Sequence, residues 1–171
     1  MPGPPRDFSL FHPACCFTDD SVCTLAVADA LLGERDFAAS LRAFVRRHPG
    51  RGYGGMFLDW ALSDDAPAYG SWGNGAPMRV AAVGWLARDE AEALELAAAQ
   101  AAVSHDHPDA IAAAQAVALA ILLARSGLSR AAVRTLHAAH RTLVSQVRGS
   151  PLRPGAFRAV SPSHSRPGQD S

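Results

Sequence analysis

Apolar positions along this 171-residue chain recur at intervals of three and four, and Gly or Pro punctuates the gaps between the periodic stretches. That period places successive apolar side chains on one face of an α-helix. The first helix is predicted over Asp19–Leu32, with Val22, Leu25, Ala26, Asp29 and Leu32 at helical spacing and Gly33 as its stop. A second, over residues 36–47, buries Phe37, Leu41, Phe44 and Val45. It ends in Arg46, Arg47 and His48 ahead of Pro49, the run of cations and then proline that closes helices. A short third helix is predicted within residues 53–62. Others follow over residues 77–87, 89–103, Pro108–Arg125 and 129–148, the last carrying Val133, Leu136, Ala139, Leu143 and Val147 on one face. No stretch keeps a period of two for a strand length, and no internal repeat is present. The predicted fold is all-α, an Ala-rich orthogonal helical bundle, because Ala favours helix and lets helices approach closely.

Both ends depart from this pattern. Residues 1–7 and the Pro/Ser/Arg-rich stretch 149–171 have too little apolar content to offset the entropy of ordering them, so they read as disordered flanks of one helical domain over residues 8–148. About half of the residues are apolar, enough for one domain with a core. All 16 basic residues are Arg and they balance 16 acidic ones, which gives no support for general nucleic-acid or membrane-surface binding. The first seven residues show no apolar signal region. The longest apolar run, residues 110–124, contains Gln115 and is short for a bilayer, so a cytoplasmic location is expected. Cys15, Cys16 and Cys23 fit neither a disulfide framework nor zinc spacing and read as reduced thiols, Cys23 in the core.

Candidate chemistry gathers in three places. Phe17-Thr18-Asp19-Asp20-Ser21 sets two carboxylates and two hydroxyls at the opening turn of the first helix. Hard oxygen ligands suit Mg²⁺ or Ca²⁺, while the same residues also serve as ordinary helix caps. The loop Tyr69-Gly70-Ser71-Trp72-Gly73-Asn74-Gly75-Ala76-Pro77-Met78-Arg79 has glycines at 70, 73 and 75 that can take positive φ or admit a ligand, and Pro77 suits a helix start able to hold an anion. Arg79 opposes the dipole of that first turn, which makes sense beside an anion or paired with a carboxylate. In Ser104-His105-Asp106-His107-Pro108 the histidines read as a C-terminal cation and a capping junction, with His107 structural. Trp60 and Trp85 are expected in the core, Trp72 could line a pocket, and Asp64-Asp65 reads as a solvated turn.

In order, spacing and wording these three motifs resemble the ADP-ribosylglycohydrolase family, whose segments run F-T-D-D-T, S-x-G-N-G-x-x-M-R-V and T-H-x-H-P. The resemblance covers residues 7–127, with Ser21 in place of the family's Thr. It implies a hydrolase that removes ADP-ribose from an ADP-ribosylated protein or small acceptor with the help of two Mg²⁺ ions. Thr18, Asp19 and Asp20 would form one half of the metal site, the two aspartates being catalytic. Gly73, Asn74, Gly75, Met78 and Arg79 match the segment lining the ADP-ribose pocket, and His105 the residue near the nucleotide.

The family also carries a G-D-A-x-G motif and a metal-binding Glu upstream, and a D-x-D-T motif downstream. Neither motif occurs here, and no Asp-x-Asp exists in the chain. The expectation is therefore an incomplete version of the family fold from a truncated or frameshifted coding region. With half its carboxylates such a site would bind metal weakly and turn over little. Apolar faces left uncovered would favour self-association. The alternative of a different class is a non-catalytic helical module that binds ADP-ribose or a protein.

Overall fold

The computed structural model describes residues 15–133 and 135. The described elements are helices α1 (Asp19–Leu32), α2 (Phe37–Arg47), α3 (Gly55–Leu62), a 3-10 turn (Pro77–Arg79), α4 (Ala81–Leu86), α5 (Glu90–Ala102) and α6 (Pro108–Arg125). No strand occurs among the described residues, so the all-α expectation holds. The helix expected over residues 129–148 falls mostly outside the described residues, where 130–133 are helical; the flanks 1–7 and 149–171 lie outside them entirely.

Local chemistry sets the helix ends. Asp36 caps α2 by accepting from Ala39 N at 2.9 Å, and Asp89 caps α5 by accepting from Glu92 N at 2.8 Å. Each cap satisfies an amide that the helix leaves orphaned, and losing it costs about 1 kcal/mol. Gly33 does terminate α1, yet the left-handed residue of the turn is Arg35 at φ 62°, whose N–H reaches back to Ala30 O at 2.9 Å. Gly127, at φ 88° after α6, is the expected kind of left-handed stop.

The buried face of α1 is Val22, Cys23, Ala26, Val27 and Ala30. The expected stripe is thus rotated: Leu25 is 60% exposed and Leu32 78%. The reason is packing, because α1 lies against α2, α4 and the 3-10 turn, and those neighbours select the flank rich in small and β-branched residues. In α2, Phe37, Leu41 and Val45 are buried as expected, with Phe44 packed at the margin. Trp60 is buried and stacks on Phe57 at 5.6 Å between centroids. Trp85, expected in the core, is instead 63% exposed on α4. One residue earlier Gly84 takes the inward position, which turns Trp85 outward.

Helices α5 and α6 form the most extensive pairing in the fold. Ala93, Ala97 and Ala101 from α5 and Ala110, Ala114 and Ala118 from α6 are all buried, so close helix approach is where the alanines matter most. By length and composition α6 is long and apolar enough to cross a membrane, 18 residues at mean hydropathy 1.4, against the expectation that this run falls short. Its packing against α5, α4 and the 3-10 turn gives those apolar residues a protein partner.

Gly84 marks the tightest contact in this layer. A Cβ at that position would lie 2.6 Å from Ile121 Cβ and 2.7 Å from Ala118 O. Overpacking of this kind costs about 1–3 kcal/mol. Gly84→Ala is expected to lower the unfolding free energy read from urea melts by that amount, and adding Ile121→Ala to restore only part, since the Ala118 carbonyl belongs to a rigid helix backbone. Full restoration would show that the side chain alone sets the limit.

Candidate functional site

The acidic motif forms the first turn of α1. Thr18 is extended at the N-cap position and its hydroxyl donates to Asp20 Oδ2 at 3.1 Å rather than capping a backbone amide. Asp19 N donates to Arg51 O at 2.9 Å, which anchors the helix start to the 50–54 loop. That loop turns on Gly52 at φ 93°, and its α-carbon faces Asp19 Oδ1. Burial first, and then the Asp20 carboxylate beside it, hold the Asp19 carboxyl above its usual range. A pair of carboxylates is thus held together at one point, Asp19 partly covered by protein and Asp20 exposed.

The glycine loop reaches this turn through Thr24. Its hydroxyl donates to Asp20 O at 2.7 Å and lies 3.4 Å from Met78 O, so one side chain touches both motifs. Among the three loop glycines only Gly70 takes positive φ, at 66°, and its amide donates to Asp106 Oδ1 at 2.6 Å. Gly75 is needed for close approach: a Cβ there would lie 2.7 Å from His105 Cε1, inside the imidazole's own space. Gly73 and Asn74 are exposed, Met78 is half-buried, and Trp72 stands out in solvent.

The expected α-helix over residues 77–87 is broken in two. Pro77–Arg79 makes a 3-10 turn, and α4 begins only at Ala81, so no α-helix start faces the loop as an anion cradle. Arg79 explains the break, because its side chain is drawn inward and is completely buried. Its Nε donates to Gln100 Oε1 at 2.8 Å, and Nη2 donates to Gln100 O at 2.7 Å and to Ser104 Oγ at 3.0 Å. The guanidinium carbon lies 5.6 Å from the Phe57 ring centroid, and Nη1 has no partner. Among the described residues no carboxylate meets it and every acceptor is neutral. Burial lowers its pKa to about 10, which leaves it charged at neutral pH.

His105 is also buried, with its ring between Tyr69 at 5.5 Å and Phe57 at 6.1 Å. Burial and then the nearby Arg79 charge push its pKa down to about 4, against an opposing pull from Asp106. It is therefore a neutral imidazole and not the helix-terminal cation expected. His107 is structural as expected: its Nδ1 accepts from Asp109 N at 3.1 Å and caps α6. Asp64 and Asp65 are exposed, Asp64 paired with Arg46 at 2.7 Å, as a solvated turn would be. Cys23 is buried and its thiol, mainly through burial, is pushed up to about 12; Cys15 and Cys16 are exposed free thiols.

The structure thus joins all three motifs at one end of the bundle. Four residues at the junctions went unassigned from the pattern alone: Thr24, Gln100, Ser104 and Asp106. Gln100 holds the most, since its Nε2 also donates to Ala76 O and to Ala97 O, both at 3.2 Å.

The family model for ADP-ribosylglycohydrolase matches residues 2–168. The chain belongs to the ADP-ribosylglycohydrolase family. The match extends past residues 7–127 in both directions, and all-α architecture agrees with it. A comparison with curated proteins finds no match. ADP-ribosylglycohydrolases generally depend on a metal, and ADP-ribosylated molecules are the substrates that membership suggests. The Asp19–Asp20 pair, with the Asp19 carboxyl raised by burial and then by Asp20, offers hard oxygens of the kind a divalent cation takes. The described residues contain no cluster of three His, Cys, Asp or Glu side chains able to hold a metal.

The depressed His105 pKa has a measurable sign. As pH falls from about 6.5 to about 4 the unfolded imidazole takes up a proton that the folded one refuses, so its contribution to stability is lost on acidification. The urea midpoint of wild type should fall across this window more steeply than that of His105→Gln. Equal slopes would mean that His105 titrates normally in the fold.

Proposed function

We propose that this chain binds ADP-ribose and hydrolyses the glycosidic bond joining it to a protein side chain or small acceptor, in a Mg²⁺-dependent reaction in the cytoplasm. Family membership supports the hydrolase class. The observation that carries the finer reading is Thr24, whose hydroxyl lies against both the acidic turn and the glycine turn and so keeps the two halves of a nucleotide site adjacent. Exposed unpaired Cys15 and Cys16 suit a reducing compartment.

In this reading Thr18, Asp19 and Asp20 hold the ion, and Asp19 and Asp20 are the catalytic pair. A bound divalent cation supplies Lewis-acid polarisation of a water or of the ribose. Gly73, Asn74, Gly75 and Met78 line the nucleotide, the glycines admitting it close to the backbone. His105 stands behind Gly75 as a neutral wall that the ligand meets without a charge. Arg79 serves from beneath the loop, holding it to α5. Fixing the ribose between these two walls converts binding energy into orientation.

One observation favours a second reading, a non-catalytic module that binds ADP-ribose: the missing third ligand for a metal cluster among the described residues. The two separate cleanly. On the first, an ADP-ribosylated peptide loses its label only with Mg²⁺, and Asp19→Asn or Asp20→Asn slows release by about a hundredfold or more. On the second, calorimetry shows ADP-ribose binding that both variants retain, with no release of label under any metal. A chain that shows neither binding nor release contradicts both readings.

A further inference from the structure

The hydrogen bonds around Ser104 define which nitrogen of His105 carries its proton. Ser104 Oγ accepts from Arg79 Nη2 at 3.0 Å and lies 2.9 Å from His105 Nδ1. Arginine can only donate, so the serine oxygen is the acceptor in that pair. A hydroxyl has one proton to give, and Nδ1 is its sole acceptor among the described residues. The alternative, Nδ1–H donating to the same oxygen, would leave a buried hydroxyl proton unused, at a cost that native interiors avoid. Arg79 in turn is held in place by Gln100, through the side-chain oxygen and the backbone carbonyl.

We propose that Gln100, Arg79 and Ser104 form a donor relay that locks neutral His105 in the Nε2-protonated form and aims that N–H at the glycine loop. Three observations converge on its direction. The ring nitrogen opposite Ser104 is the one that a Cβ at Gly75 would strike, so Nε2 faces the loop backbone. It makes no hydrogen bond among the described residues. The flanking Tyr69 and Phe57 rings hold the imidazole plane.

The consequence rests on the proposed ADP-ribose site. A ring protonated at Nε2 donates a hydrogen bond to a ligand oxygen and has no lone pair there with which to take a proton. His105 is thus a donor that recognises a phosphate or ribose oxygen, and it is not the general base. Gln100, Arg79 and Ser104 act through it and are positioning residues.

Long-range ¹H–¹⁵N spectra of the full-length, ¹⁵N-histidine-labelled protein, with His105 assigned by its disappearance in His105→Gln, read the tautomer directly. The expected result is protonation at Nε2 at pH 7, and a ring protonated mainly at Nδ1 overturns the relay. Ser104→Ala should mix the two tautomers and weaken ADP-ribose binding about tenfold, the worth of one hydrogen bond. Ser104→Thr keeps the hydroxyl and should restore both. If Ser104→Ala fails to fold, the wild-type and Ser104→Thr spectra still decide, and a Ser104→Thr ring protonated mainly at Nδ1 overturns the relay. Wild type that holds Nε2–H yet binds no ADP-ribose overturns the ligand role and the proposed function together, and leaves the tautomer assignment standing.

Discussion

A buried guanidinium is the constraint on which this structure turns. Taking a charge out of water is expensive unless hydrogen bonds replace the lost hydration, and among the described residues Arg79 donates only to neutral oxygens. All three come from the C-terminal half of α5 and from Ser104 two residues beyond it, so the cation can be satisfied in only one position relative to that helix. The glycine loop is covalently attached to the same residue and inherits the position. Gln100 doubles the tether by donating to Ala76 O, one residue before the 3-10 turn. The loop is therefore fixed from below by polar contacts inside an apolar bundle, while its glycine face stays open.

That charge also sets the chemistry of its neighbours. Inside protein a charge is screened less than in water, and Arg79 acts against protonation of His105, adding to the effect of burial. It acts in the opposite sense on Cys23, favouring the thiolate, but there burial dominates and the thiol stays protonated. Burial therefore leaves both groups neutral, with the cation's help at His105 and against its pull at Cys23. A wall of neutral side chains behind Gly75 can meet a polar ligand without adding charge of its own.

Much of this was legible in the sequence. The boundaries of α2, α5 and α6 followed from caps and stops within a residue or two, because Asp36, Asp89 and Pro108 act locally and need no tertiary context. The three motifs could be picked out because their residue types are unusual for plain helix. Which face of α1 is buried could not be read, since Leu25 and Val22 are both apolar and only the neighbouring helices choose between them. Trp85 misled for a related reason: a large aromatic carries no sign of direction, whereas Gly84 beside it did. Arg79 was the hardest case, because its partners lie twenty-one and twenty-five residues away in sequence. One signal was available. Gln100 falls in register with Ala93, Leu96 and Ala97 on the buried face of α5, and a polar amide in that register requires partners.

The distribution of charge gives the last step. Among the described residues Arg79 donates only to neutral groups and so consumes neither Asp19 nor Asp20, although Cys23 lies close enough to sense all three. Had the cation paired with either aspartate, the acidic turn would be neutralised and the loop pinned to α1 instead of α5. The observed arrangement keeps negative charge at the surface, at the start of α1, and positive charge in the interior beneath the glycine loop. Thr24 bridges the two turns through backbone carbonyls without touching either charge. A ligand that carries phosphate and meets a divalent cation needs both signs kept apart and adjacent. Neutral hydrogen-bond partners for a buried arginine are what allow that separation to persist.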